Sequence, residues 1–232
     1  MLDTDFIRER YSPQIDALNQ FIKDAYPLLP NNDSSYIRFG GGTALAIYYF
    51  QHRRSYDIDL FVTDAQIMNY LSPKHWLEDT EMFNRDSYKD MPDHIRVLYL
   101  KGNIKIDILV SGSNTGAYMV DDSGDIFTGT VYVEPVENII SKKIVYRKED
   151  NLARDIIDLA VFTGKYQDGL KDLLEKRLVA RDDLSVLCTS LGKLDRREYL
   201  EEVEIVSPFE KFMETAMHGP DIVLEACSLC LK

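Results

Sequence analysis

Two aspartates, Asp57 and Asp59, sit one residue apart in the apolar run "YDIDLFV". In a strand, side chains at i and i+2 share a face, so the two carboxylates project together while Ile58 and Leu60 point the other way. An ionised carboxylate in such a run costs several kcal/mol or more unless it is solvated or paired. Paired oxygen donors suit a hard divalent cation, Mg²⁺ or Mn²⁺. By itself an Asp-x-Asp also describes a solvated strand face. Two further features extend the pattern. "GGGTAL" places Gly41 and Gly42 between a strand and a helix starting near Thr43, where bare backbone amides and the helix N-terminus can meet a phosphate. A plain tight turn is the competing reading. Downstream, Asp107 in "KIDIL" stands between Ile106 and Ile108 and offers a third carboxylate from another strand. Together these residues describe a turn that holds a triphosphate and an acidic pair that holds the bridging metal. The third acid would bind a second metal or accept a proton from an attacking hydroxyl. No GxxxxGK[ST], HExxH or G-x-S-x-G motif supports another enzyme class.

The elements that must position these groups follow from periodicity. A first helix is expected over residues 13–26, with Pro13 at its first position after Ser12. "YIRF" reads as a strand, "TALAIYYF" as a helix and "YDIDLFV" as the next strand. "DAQIMNYL" and "PKHWLEDTEMF" have helical spacing. "HIRVLYLKG" and "IKIDILV" alternate and are joined at Gly102-Asn103, a tight-hairpin signal, and "TVYVEP" is a further strand. From Pro135 onward every segment has helical spacing, "VENIISKKIVYR" and "LARDIIDLAVF" first among them. The expected fold class is therefore α+β: a mixed sheet flanked by helices in residues 1–135, then a helical domain in residues 136–232.

Composition narrows the function classes. The 232 residues are 45% hydrophobic and 28% charged, enough for a sizeable core. The formal net charge of −12 disfavours a broad nucleic-acid-binding face but leaves room for a local basic site. No apolar run is long enough to span a bilayer, and the charged N-terminus does not read as a signal peptide, so a cytoplasmic protein is expected. Three cysteines fit a reducing compartment. "CSLC" near the C-terminus reads as one face of an apolar helix in preference to a zinc or redox pair.

The stretch "GGTALAIYYFQHRRSYDIDLF" with Asp107 downstream resembles the AbiEii/AbiGii-type nucleotidyltransferases of the DNA polymerase beta-like superfamily. The resemblance covers about residues 37–162 and implies a nucleotidyltransferase fold. On that pattern Asp57, Asp59 and Asp107 are the catalytic metal ligands, and Gly41, Gly42 and Thr43 bind nucleotide. Thr43 stands where many superfamily members have serine. The family's Lys-bearing helix followed by Arg-Asp-x-x-Asp-Leu falls on "ENIISKKIVYRKEDNLARDIIDL". It picks out Lys143 (Lys142 is the other candidate), Arg154, Asp155 and Asp158. Lys143 would take triphosphate charge, or be an exposed helix residue. Asp158, inside "IIDLAVF", would pair with Lys143 or another base and position the nucleotide-binding group. Arg53 and Arg54, after His52, would face phosphates, or one would pair with an aspartate.

The resemblance implies transfer of a nucleoside monophosphate from an NTP to an acceptor hydroxyl, in some members the 3′ end of tRNA. It also implies a toxin of a toxin–antitoxin or phage-defence system, with a cognate antitoxin as partner. Two rivals stand beside it: an antibiotic-type enzyme with a small cationic acceptor, which the acidic charge suits, and a non-catalytic nucleotide-binding homologue.

Overall fold

The computed structural model describes residues 2–62, 64–111 and 118–232. They fall into two compact units, one of residues 1–49 and 55–135, the other of residues 50–54 and 136–232.

Among the described residues the first unit has seven strands: β1 (Ile37–Gly40), β2 (Ile58–Val62), β3 (Tyr88–Asp90), β4 (His94–Tyr99), β5 (Ile104–Val110), β6 (Met119–Asp121) and β7 (Val131–Val133). They form one sheet in the order β3-β4-β5-β2-β1-β7-β6. β2 runs parallel to β5 and β1 parallel to β7, and the remaining pairs are antiparallel. The alternation that suggested strands also sorts the two faces. Ile37, Phe39, Ile58, Leu60, Val62, Ile95, Val97, Ile106 and Ile108 are all buried. Asp59, Arg96 and Asp107, one step off in register, are half-buried. Asp59 and Asp107 are thus forced onto the face opposite the apolar core.

Helix α1 (Thr4–Ala25) starts before the expected position. Asp3 caps it by accepting from the Phe6 amide at 3.0 Å. The Pro13 signal marks an internal break, with non-helical dihedrals at Tyr11, because proline has no N–H to continue the ladder. The glycine turn opens α2 (Gly41–Ala44), which passes into a wider π-helical turn over Leu45–Phe50. α3 (Ala65–Tyr70) is capped by Asp64. "PKHWLEDTEMF" does not form the expected helix. Only Pro73–His75 makes a single 3₁₀ turn. The rest is an irregular segment held by side chains: Asp24 accepts from the Met82 amide, and Asn84 bonds the carbonyls of Thr80 and Glu81. The β4–β5 hairpin is also looser than a two-residue turn at Gly102-Asn103. Tyr99 pairs with Ile104, so Leu100 through Asn103 form the connection. Asn103 takes the positive φ of 50°.

The second unit is helical: α4 (Val136–Arg147), α5 (Ala153–Lys165), α6 (Gly169–Glu175), α7 (Arg181–Leu191), α8 (Arg196–Val206), α9 (Met213–Met217) and α10 (Gly219–Leu231). α5 is its core, burying Ile156, Ile157, Leu159, Ala160, Val161 and Phe162. Gly219 lets α10 lie close, since a Cβ there would meet the Tyr199 hydroxyl at 2.6 Å and Ile156 at 3.2 Å. Cys227 faces this core, and burial pushes its thiol well above the ordinary range. Among the described residues no helix is long and apolar enough to cross a membrane. The architecture is the expected α+β arrangement of a mixed sheet with helices and a helical C-terminal region.

Candidate active site

Backbone pairing lines up the chemistry. Gly40 on β1 is the register partner of Asp59 on β2, and Asp59 is the partner of Asp107 on β5. Asp107 in turn pairs with Arg96 on β4, and Arg96 with Lys89 on β3. Directly paired positions share a face, so one row crosses the sheet through glycine, two carboxylates and two cations. The glycine end is tight. Gly41 has φ +67°, and a Cβ on it would collide with the Asp59 carboxylate. At Gly40 a Cβ would collide with Glu134 Oε2 and Phe61. These glycines are needed because carboxylates occupy the side-chain space, and Gly41 also needs its left-handed backbone. The result is a bare backbone turn lying directly against Asp59.

Asp57 is placed differently. β2 begins at Ile58, so Asp57 precedes the pleat and is exposed. Its carbonyl is held by the Thr43 hydroxyl, which also lies 2.8 Å from Ser55 Oγ. Since a carbonyl only accepts, Thr43 donates to Asp57 and the Ser55 hydroxyl donates to Thr43. Ser55 is tied down in turn, its carbonyl accepting from Gln14 Nε2 at 2.8 Å. Thr43, fully buried, therefore fixes the chain entering Asp57.

Asp107 is engaged by β4. Arg96 Nε donates to Oδ1 at 2.7 Å and Nη2 to Oδ2 at 2.9 Å, a bidentate fork. His94 Nε2 is 3.5 Å from Oδ1, and its Nδ1 is 2.7 Å from Asp93. The hydrogen bonds to Asp107 raise the Arg96 pKa, with a further contribution from the charge of Asp57. Neither Arg96 nor Ser55 was singled out from sequence. An arginine in an alternating strand reads as a solvated face, and only the hairpin register reveals its partner.

The second unit holds its own charge cluster. Asp158 on α5 has no exposed surface and accepts from His52 Nε2 at 2.6 Å and from Arg53 Nε and Nη2 at 2.7 and 2.8 Å. Lys143 Nζ on α4 is 3.0 Å from Asp158 and 2.5 Å from Asp155. Arg147 Nη1 is 3.3 Å from the other Asp155 oxygen. Burial pushes Asp158 up, but the charges of Arg53 and Lys143 and the bonds from His52 and Arg53 outweigh it and hold the carboxyl well below the usual range. Burial lowers His52, whose Nδ1 is buried without a hydrogen-bond partner, so a neutral imidazole donating from Nε2 fits the site. The segment is anchored through its backbone as well: the Phe209 amide donates to the His52 carbonyl at 2.9 Å, and Arg53 bridges Pro208. Of the two arginines, Arg53 is the one paired with an aspartate, while Arg54 is exposed. Lys143 is buried, not exposed on its helix.

Among the described residues no three His, Cys, Asp or Glu side chains converge closely enough to hold a metal ion as they stand. The donor chemistry of the acidic row nonetheless suits a hard divalent cation, and the Arg96 guanidinium already occupies Asp107.

With this geometry in place, comparison with known proteins gives the class. The model of the family described as nucleotidyl transferase AbiEii toxin, type IV toxin–antitoxin system, matches residues 28–219. Among solved structures, a candidate nucleotidyltransferase from H. pylori is 16% identical with a TM-score of 0.52, over 94% of this chain and 93% of its own. JHP933 from Helicobacter pylori is 18% identical with a TM-score of 0.49, over 93% of each chain. The nucleotidyltransferase toxin MenT4 from Mycobacterium tuberculosis is 13% identical with a TM-score of 0.43, over 96% of this chain and 99% of its own. No curated protein matches the sequence. The fold is that of a nucleotidyltransferase. The chain belongs to the AbiEii nucleotidyltransferase toxin family, and it is a nucleotidyltransferase.

Proposed function

We propose that this nucleotidyltransferase uses a divalent cation, Mg²⁺ or Mn²⁺, to move a nucleoside monophosphate from an NTP to an acceptor hydroxyl. The observation that carries this reading is the row in which Gly40, Asp59 and Asp107 are register partners, with the Gly41 turn pressed against the Asp59 carboxylate. Asp57, Asp59 and Asp107 are the residues that would hold the cation, which supplies positive charge to the triphosphate when bound. The amides of Gly41 and Gly42 face the phosphates, and Thr43 contributes by fixing the Asp57 backbone. The acceptor oxygen attacks the α-phosphorus in line, and its proton passes to an Asp107 carboxylate oxygen. The bond from the α-phosphorus to its bridging oxygen then breaks, and pyrophosphate leaves.

Arg54, exposed beside the acidic strand in sequence, is the arginine proposed for phosphate contact. Lys143 is proposed as a cation for nucleotide charge, with Arg53 and Asp158 holding it in place through the buried cluster. The acceptor proposed from family membership is an RNA, the 3′ end of tRNA foremost, in a cytoplasmic toxin controlled by a cognate antitoxin. The test is incubation with each α-labelled NTP, Mg²⁺ or Mn²⁺ and total cellular RNA, followed by identification of the labelled species. Label in tRNA that is lost in Asp59→Asn supports the reading. Label only in small molecules redirects it to an antibiotic-type acceptor, and no transfer from any NTP overturns it.

A further inference from the structure

Asp107 lies between two neighbours of opposite charge. On one side its register partner is Asp59. On the other it is Arg96, whose fork takes both Asp107 oxygens at 2.7 and 2.9 Å. Arg96 keeps 30% of its side chain exposed and Asp107 20%, so the pair sits at the surface of the acidic row, open to solutes. A carboxylate that spends both oxygens on a guanidinium is a poor ligand for a second cation, because the two positive groups repel and compete for the same lone pairs. The planar fork that fits a carboxylate fits a phosphate equally well. Charge also favours an exchange: a divalent ion would replace one positive charge by two next to Asp57, Asp59 and Asp107.

We propose that Arg96 is a resident counter-cation that competes with the divalent ion for Asp107 and, when displaced, turns its guanidinium to the phosphates of the incoming nucleotide. The inference rests on the functional reading above and adds to it a residue that no sequence motif assigns. Arg96 changes partners between the empty and the loaded site, and Asp107 joins Asp57 and Asp59 only after it is released.

The experiment is a Mn²⁺ titration of the full-length protein without nucleotide, read by electron paramagnetic resonance, on the wild type, Arg96→Gln, Arg96→Lys and Asp57→Asn. Competition predicts that Arg96→Gln binds Mn²⁺ roughly three- to fivefold more tightly than the wild type, the size expected for losing one part-exposed ion pair. Arg96→Lys, which keeps the charge without the fork, falls between them, and Asp57→Asn binds weakly or not at all. With Mn²⁺ saturating, Arg96→Gln binds an NTP more weakly than the wild type, and Arg96→Lys recovers part of the loss. A purely structural Arg96 gives the opposite sign, with Mn²⁺ binding unchanged or weaker in Arg96→Gln, and that result overturns the proposal. So does failure of the wild type and Arg96→Gln alike to bind Mn²⁺. Thermal melts check folding, and should Arg96→Gln not fold, the sign of the change in Arg96→Lys decides. Absence of transfer from every NTP would sink the functional reading while leaving the Mn²⁺ comparison intact, so the two failures are told apart.

Discussion

The acidic row on the sheet and the buried cluster around α5 both place carboxylates among apolar residues, yet they resolve the cost in opposite ways. Asp158 is wholly enclosed and surrounded by His52, Arg53 and Lys143, while Asp155 has Lys143 and Arg147. In this cluster two carboxylates face three cations, so each acid finds its partners within the second unit. On the sheet, Asp59 is the register partner of Asp107, Asp57 just precedes the same strand as Asp59, and Arg96 is the guanidinium bound to Asp107. Enclosure by cations makes a carboxylate a piece of architecture, whereas a carboxylate open to solvent can take its balancing cation from solution. The contrast turns on this balance, since the carboxylates themselves are chemically the same.

The largest expected effect breaks the comparison from the enclosed side. Asp158→Ala removes the buried carboxylate that Arg53 and His52 bind, leaving Lys143 with Asp155 alone, and should destabilise the protein by about 3–5 kcal/mol, measured by denaturant unfolding. Asp59→Asn is the counterpart on the open side. It should reduce nucleotide transfer by roughly a thousandfold or more while leaving the melting temperature unchanged or higher, because like-charge crowding is relieved. A fall in stability comparable to that of Asp158→Ala would erase the distinction. Gly41→Ala should cost about 1–3 kcal/mol from the positive φ and the collision with Asp59, with a loss of activity larger than the loss of fold would explain.

Two smaller effects sharpen it. Burial holds the His52 pKa below its ordinary value, so the unfolded chain takes up a proton that the folded chain refuses. Stability from this group is complete above about pH 6.5 and is lost as pH falls from there toward the folded value, at a slope of at most about 1.4 kcal/mol per pH unit. His52→Gln should flatten that limb of a stability–pH curve. Thr43→Val should cost about 1 kcal/mol and slow transfer by loosening the backbone at Asp57.

Much of this layout is legible in residue order. The apolar-Asp-apolar pattern puts Asp59 and Asp107 opposite the core, and the helical period of the C-terminal half is unbroken by strand signals. Family membership and α+β architecture follow from the glycine turn, the acidic strand and the long helical run. What escapes the sequence is register and boundary. A two-residue turn at Gly102-Asn103 would pair Asp107 with Leu98, and only the longer connection brings it to Arg96. β3 and β6 have three residues each, too few for alternation to reveal them. The segment after Pro73 has helical spacing, but bonds from Asp24 and Asn84 offer its backbone other partners. The apolar run around Asp158 in α5 implies that this carboxylate must be paired. It could not say that the partners would include His52 and Arg53, 106 and 105 residues away.

The short stretch from Phe50 to Arg54 is counted with the helical unit although its flanks on both sides belong to the other. A gene fragment stopped at Pro135 would therefore carry His52 and Arg53 but not the Asp158 they bind, and the complementary fragment would carry that aspartate without either of them. Dissecting this polypeptide calls for grafting five residues across, because no single scissor cut separates what its tertiary contacts have joined.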